Sequence, residues 1–224
     1  MRSMQAKSSV KVWDLPIRLF HWALVVAIVT SWASVKLENM ELHVTSGACI
    51  FGLLIFRLLW GIWGASTAQF HRFIPSPRTL INYLKNKPTH LLASIGHSPI
   101  AALSVVAMLV VLMGQVATGL VADDDVYTTG PLIDYVESET SEWATGLHVT
   151  NSDVLLGLIA LHLAAIAFYR FVKKRRLVKP MLTGKSDEYD ADDIENPLVE
   201  RPLLVFLLTA AVSSMVPYAI FNWL

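Results

Sequence analysis

His148 and His162 stand fourteen residues apart in one apolar stretch, while His21 and His43 open the first two apolar stretches. An α-helix rises 1.5 Å per residue, so this spacing separates the pair by roughly 21 Å along one axis and keeps both within roughly 40° of one face. One helix thus presents an imidazole at two depths of a bilayer whose apolar core is about 30 Å thick. Neutral imidazole is an axial ligand for haem iron, and two levels with two histidines each would hold two bis-histidine haems. Two other readings compete with this one. Intramembrane histidines also serve as hydrogen-bonded packing groups between helices. A proton relay would recruit Asp or Glu inside the spans, where Asp153 near one end is the sole acid.

The elements that carry these histidines are helical spans. The chain has 224 residues, 54% hydrophobic and 16% charged. Apolar stretches near 20–37, 44–63, 98–121, 147–172 and 202–223 are each about as long as a helix that crosses a membrane. No run of alternating ten-residue segments points to an outer-membrane barrel. The expected fold is an all-α integral membrane protein, a four-helix bundle with a fifth C-terminal transmembrane helix. Residues 1–184 would form the core, and 185–224 a linker with the added span.

Net charge is zero, and nothing in it points to a nucleic-acid partner. The distribution says more. Arg18, the segment from Arg72 to Lys87 and the run Lys173-Lys174-Arg175-Arg176 flank the spans on one side, whereas Asp123 to Glu142 holds seven carboxylates and no Lys or Arg. The positive-inside rule places the N-terminus in the cytoplasm and the acidic connection and C-terminus outside. Basic residues ahead of an apolar stretch ending Trp32-Ala33-Ser34 are also features of a cleaved leader. The long charged lead-in, His21 and the tryptophans at 13, 22 and 32 favour a retained span. Cys49 is the single cysteine, which excludes an intrachain disulfide and a Cys-x-x-Cys-His haem attachment. A buried, small core role is expected for it.

Antiparallel topology then decides which histidines share a level. His21 opens an outward-going helix at the inner level, and His43 opens the returning helix at the outer level. His148 enters from outside, with His162 one step deeper. The pairs are His43 with His148 outside and His21 with His162 inside. Arg57 follows His43 by fourteen residues, at the inner level and nearly on the ligand face. Its guanidinium matches a haem propionate; snorkelling to the interface is the plainer role. Arg18 and Arg170 are weaker candidates for the same task. His97 opens the third span at the inner level, where geometry permits it as a ligand in place of His21; a hydrogen-bonding role near a propionate or quinone is preferred. His71 and His90 fall in the cytoplasmic loop as solvated side chains. Gly114 and Gly119 leave room for a helix or a flat cofactor. A short surface helix is expected around Thr79 to Leu84, a loop over the membrane face at 122–146, and a kink at Pro217.

Val12-Trp13-Asp14-Leu15-Pro16-Ile17-Arg18-Leu19-Phe20-His21-Trp22, His43-Val44-Thr45-Ser46-Gly47, Arg57-Leu58-Leu59-Trp60-Gly61, Gly96-His97-Ser98-Pro99, Thr118-Gly119-Leu120, Gly130-Pro131 and the His148/His162 pair follow one another in order. With them the chain resembles the prokaryotic cytochrome b-561 family, which includes nickel-hydrogenase-type cytochrome b subunits. The resemblance spans roughly residues 11–184 and implies a four-helix di-haem b core exchanging electrons with ubiquinone or menaquinone. By it His21, His43, His148 and His162 are the ligands, and quinone lies near the inner haem, with Arg57, His97 and Tyr169 as lining groups.

The expected function is a relay of single electrons between the quinone pool and a periplasmic redox protein, such as a c-type cytochrome or a hydrogenase or dehydrogenase subunit. Direct oxidation of superoxide at the outer haem is a second option. The acidic connection would repel that anion and attract a cationic protein. A haemless anchor or assembly protein is the non-redox alternative. Oligomeric state is open, with the fifth span as a candidate binding surface.

Overall fold

The computed structural model describes residues 9–85, 98–126, 128–188 and 198–223. Five helices are long and apolar enough to cross a membrane: α1 (Leu15–Lys36), α2 (Met40–Trp63), α5 (Pro99–Gly119), α6 (Ser138–Phe171) and α8 (Leu203–Trp223). Short helices α3 (Phe70–Phe73), α4 (Pro77–Leu84) and α7 (Val178–Thr183) join them. The two strands, β1 (Val10–Lys11) and β2 (Lys185–Ser186), have two residues each. The chain is an all-α integral membrane protein, whose exposed Val26, Val29, Leu161 and Leu208 face the lipid.

Helix starts follow local rules. Asp14, Asn39, Ser76 and Ser98 each accept a backbone N–H three residues on, and Pro occupies the first turn of α1, α4 and α5. The fourth apolar stretch extends outward as helix to Ser138, well ahead of the apolar residues. Glu139 in its first turn suits the positive end of the helix dipole. Ser141 Oγ donates to the Val121 carbonyl at 2.9 Å, and Thr145 Oγ1 accepts from Asp123 N at 3.0 Å, tying this polar extension to the loop before it.

Packing is pairwise. α1 lies on α2, α5 on α6 and α8 on α2, with α2 meeting α5 between the pairs. At the basic end an aromatic core joins α1, α2 and α8: Phe56 stacks on Trp60 at 5.6 Å and on Phe20 at 6.3 Å, and Phe206 meets Phe56 and Trp60 edge-on. The segment before α1 and the one after α6 close over this end. β1 pairs antiparallel with β2, and Gly184, at φ 80°, accepts from Val12 N and Trp13 N at 2.8 and 3.2 Å. A Cβ at Gly184 would come within 2.8 Å of the Trp13 carbonyl, so this left-handed position needs glycine on both counts.

α8 is held to α2 by polar groups as well as by apolar contact. Trp63 Nε1 donates to Thr209 Oγ1 at 3.0 Å, and Arg201 Nε donates to the Trp63 and Gly64 carbonyls, covering the end of α2. Pro217 lies inside α8, with its Cγ 3.4 Å from where a Cβ on Gly52 would stand. Cys49 is exposed on α2, which corrects the expectation of a buried core residue. The buried face of that helix runs instead through Ser46, Ile50, Leu54 and Arg57, spaced three and four residues apart.

Candidate cofactor site

The acidic end of the bundle holds the better defined histidine pair. His43 opens α2, and His148 lies ten residues into α6. Their ring centroids are 6.1 Å apart and their planes nearly perpendicular, at 87°. A metal–imidazole bond is about 2.0–2.1 Å and the ring nitrogen sits roughly 1.2 Å from its centroid, so two imidazoles on one ion have centroids about 6.3 Å apart. The observed separation fits that arrangement.

Hydrogen bonds fix which ring nitrogen faces inward. His43 Nδ1 donates to the Ser31 carbonyl of α1 at 3.0 Å, and His148 Nδ1 donates to the Gln115 carbonyl of α5 at 2.9 Å. The Ser31 and Thr118 hydroxyls flank the same nitrogens at 3.1 and 3.2 Å. With Nδ1 committed, each Nε2 is left as a lone-pair donor, the orienting pattern usual around metal-bound histidines. α6 is clamped to α5 at this level. Gln115 Nε2 donates to the His148 carbonyl at 3.0 Å, and Asn151 Nδ2 donates to Gln115 Oε1 at 2.7 Å and to the Val111 carbonyl at 3.0 Å.

Both rings line a cavity of about 440 Å³ between the two helix pairs, within the range of small-molecule sites. Gly47, one turn beyond His43, opens onto it, and a Cβ there would meet nothing within 4 Å. Gly119 serves differently. A Cβ there would fall 2.8 Å from His148 Cε1, so this glycine admits the imidazole itself. Gly114 has no such neighbour. The connection between α5 and α6 folds back over the cavity, contributing Asp123, Asp124 and Thr128 to Pro131. An apolar slot with two opposed imidazoles and a glycine opening suits a flat, metal-centred group.

At the basic end stand His21 on α1 and His162 on α6, both half-buried. His21 Nδ1 is buried with no hydrogen-bond partner among the described residues. Arg57 is 4% exposed. Its guanidinium lies 4.5 Å from the Phe70 ring centre and 5.6 Å from that of Phe73, and its Nη1 has no hydrogen-bond partner among the described residues. A buried guanidinium with an uncommitted donor is costly unless an anion meets it.

Trp60, about one turn after Arg57 on α2, holds a carboxylate that sequence spacing does not single out. Asp14, 2% exposed, accepts from Trp60 Nε1 at 2.9 Å and from Ile17 N at 3.4 Å. Burial pushes its pKa above the ordinary carboxylate value. The folded state therefore binds this proton more tightly than the unfolded chain. The proton-linked part of Asp14's contribution to stability is fully present below the ordinary value, near pH 3.8, and is lost as pH rises through the raised folded value, whereas its cap to Ile17 and its bond from Trp60 persist. Asp14→Ala removes a helix cap and orphans the Trp60 N–H, an expected cost of about 2–4 kcal/mol. Its thermal unfolding midpoint in detergent should fall at every pH, and the slope this carboxyl imposes should vanish; an unchanged midpoint would refute the assignment.

The remaining candidates sort simply. Arg18 Nη1 donates to the Leu182 carbonyl at 2.5 Å, which commits it to the closing segment after α6. Arg170 and His71 are exposed, and Tyr169 packs edge-on to Phe168. His97 and His90 lie outside the described residues. Ser31, Gln115 and Asn151, which hold the histidine pair and its helices, are residues that sequence reasoning does not pick out, and Thr118 enters it only within the Thr118-Gly119-Leu120 run. Gln115 and Asn151 carry a usable signal, since amides within apolar spans need partners.

Residues 12–184 match the family model for prokaryotic cytochrome b561. No curated protein and no solved structure matches the chain significantly. The matched segment runs from the first residues of the N-terminal cap, through all four histidines, to Gly184 where that cap closes. By its fold and this match the chain belongs to the prokaryotic cytochrome b561 family, haem-b-binding membrane cytochromes of electron transfer.

Proposed function

We propose that this cytochrome relays single electrons across the bacterial inner membrane through two b haems, between the quinone pool at the basic, cytoplasmic end and a redox protein at the acidic, periplasmic end. The observation that carries the reading is the His43/His148 pair, 6.1 Å apart with each Nδ1 tied to a backbone carbonyl. His21 and His162 form the second ligand pair. When bound, haem iron supplies one-electron chemistry; the chain supplies spacing, ligand orientation and a dry surround.

Ser31 and Gln115 hold the two imidazoles of the acidic end in the tautomer that leaves Nε2 free. Arg57, buried and with Nη1 uncommitted, would hold a carboxylate of the group bound at the basic end. Quinone is served from this same end, where His97 is a further sequence candidate. The outer partner is a cationic redox protein, such as a c-type cytochrome or a hydrogenase or dehydrogenase subunit. Asp124, Asp125, Asp134, Glu137, Glu139 and Glu142 are all exposed around the cavity mouth and the start of α6, a field that draws in positive surfaces and repels superoxide.

The test is electron transfer from quinol through the purified protein to a cationic c-type cytochrome over a salt series. The expected rate falls steeply as salt rises. Salt-independent transfer, or quinone reduction by superoxide without any protein donor, would overturn the partner assignment.

A further inference from the structure

At the acidic end one cation faces the cavity. Lys36, in the last turn of α1, lines the cavity with His43, His148 and Trp32; no other Lys or Arg does so among the described residues. Glu38 and Glu41 follow it in sequence, Asp123 and Asp124 line the same cavity, and the connection from Asp123 to Glu142 holds seven carboxylates. Lys36 makes no ion pair among the described residues. Its Nζ lies 5.9 Å from the centre of the Trp32 ring.

The two carboxylates that line the cavity are engaged elsewhere. Asp123 Oδ1 accepts from Asp125 N at 2.9 Å, and Asp124 Oδ1 accepts from Val126 N and Thr128 N at 3.0 and 2.8 Å. These bonds curl the loop over the cavity and leave its acids turned into their own turn. Haem b carries two carboxylates, and charge is expelled from the apolar slot towards the nearest aqueous rim. Lys36 is the one Lys or Arg lining this cavity among the described residues, so it is the group there that attracts an incoming carboxylate.

On this basis, which rests on the proposed His43/His148 haem site, we infer that Lys36 is the propionate anchor of the group bound at the acidic end. Its stem spans the interface while the ammonium stays at the rim, a geometry suited to lysine. A lysine in a last helical turn also favours the helix dipole. That role changes stability and leaves a redox potential where it was, so the two are separable.

The experiment is a redox titration of the full, haem-loaded chain carrying Lys36→Gln, Lys36→Glu or Lys36→Arg, with haem quantified in each. Loss of a cation beside a carboxylate favours the oxidised form. Lys36→Gln should make reduction of one haem about tenfold harder, which is 59 mV for one electron. Lys36→Glu should lower that potential further, Lys36→Arg should keep it, and the second haem should not move. The shift should persist at 1 M salt, where the screening length is about 3 Å. Unmoved potentials in loaded protein, equal movement of both haems, or a shift abolished by salt would each overturn the Lys36 assignment alone. A wild-type chain that binds no haem would overturn the underlying site as well.

Discussion

His148→Ala is expected to remove one of two b haems and leave the other, with helicity unchanged. The imidazole it deletes stands 6.1 Å from His43 and is fixed by the Gln115 carbonyl, so no neighbouring group can take its place. A five-coordinate haem held by His43 would lose a strong donor and wash out during purification. His162→Ala should do the opposite, emptying the basic-end site while preserving the acidic one. His71→Ala, at an exposed position in α3, should change neither. Haem per polypeptide, measured as the pyridine complex, should fall from two to one in each ligand variant. Full loading in both would overturn the pairing of the histidines.

Gly47→Leu should have an effect nearly as large, by filling space in place of deleting a ligand. Gly47 lies on the same face of α2 as His43 and lines the cavity, and no protein atom comes within 4 Å of its Cβ position. A leucine there enters the slot without pressing on the bundle. The prediction is loss of the acidic-end haem with both ligands present and unfolding stability unchanged. Gly114→Leu is the control, since that position also has open space around it but does not line the cavity. Normal haem content in Gly47→Leu would show that the group does not pass over this helix.

The spans and the depths of the histidines are legible in the sequence because both follow from simple periods. Apolar length marks a membrane helix, and fourteen residues is close to four turns, so His148 and His162 share a face whatever surrounds them. The antiparallel order of α1, α2 and α6 is enough to pair His43 with His148, the pair found in ring contact. What escapes depends on helix rotation and on groups with no sequence signature. The acceptor for His43 is the backbone of Ser31, and any residue at that position offers a carbonyl. Hydropathy misplaces the start of α6 because it ends where Ser138 to Thr145 turn polar, whereas helical hydrogen bonding continues. Residue type alone points Cys49 to the core, although the buried face of α2 runs through Ile50. Spacing puts Arg57 on the buried face of α2, but its aromatic bed of Phe70 and Phe73 comes from the following connection.

The most direct test of the central claim is a reduced-minus-oxidised spectrum of the purified membrane protein, with haem counted per chain. Two b haems, both reducible, are the predicted result. One haem would remove a histidine pair from the relay, and none would contradict the electron-transfer account and return the four histidines to packing.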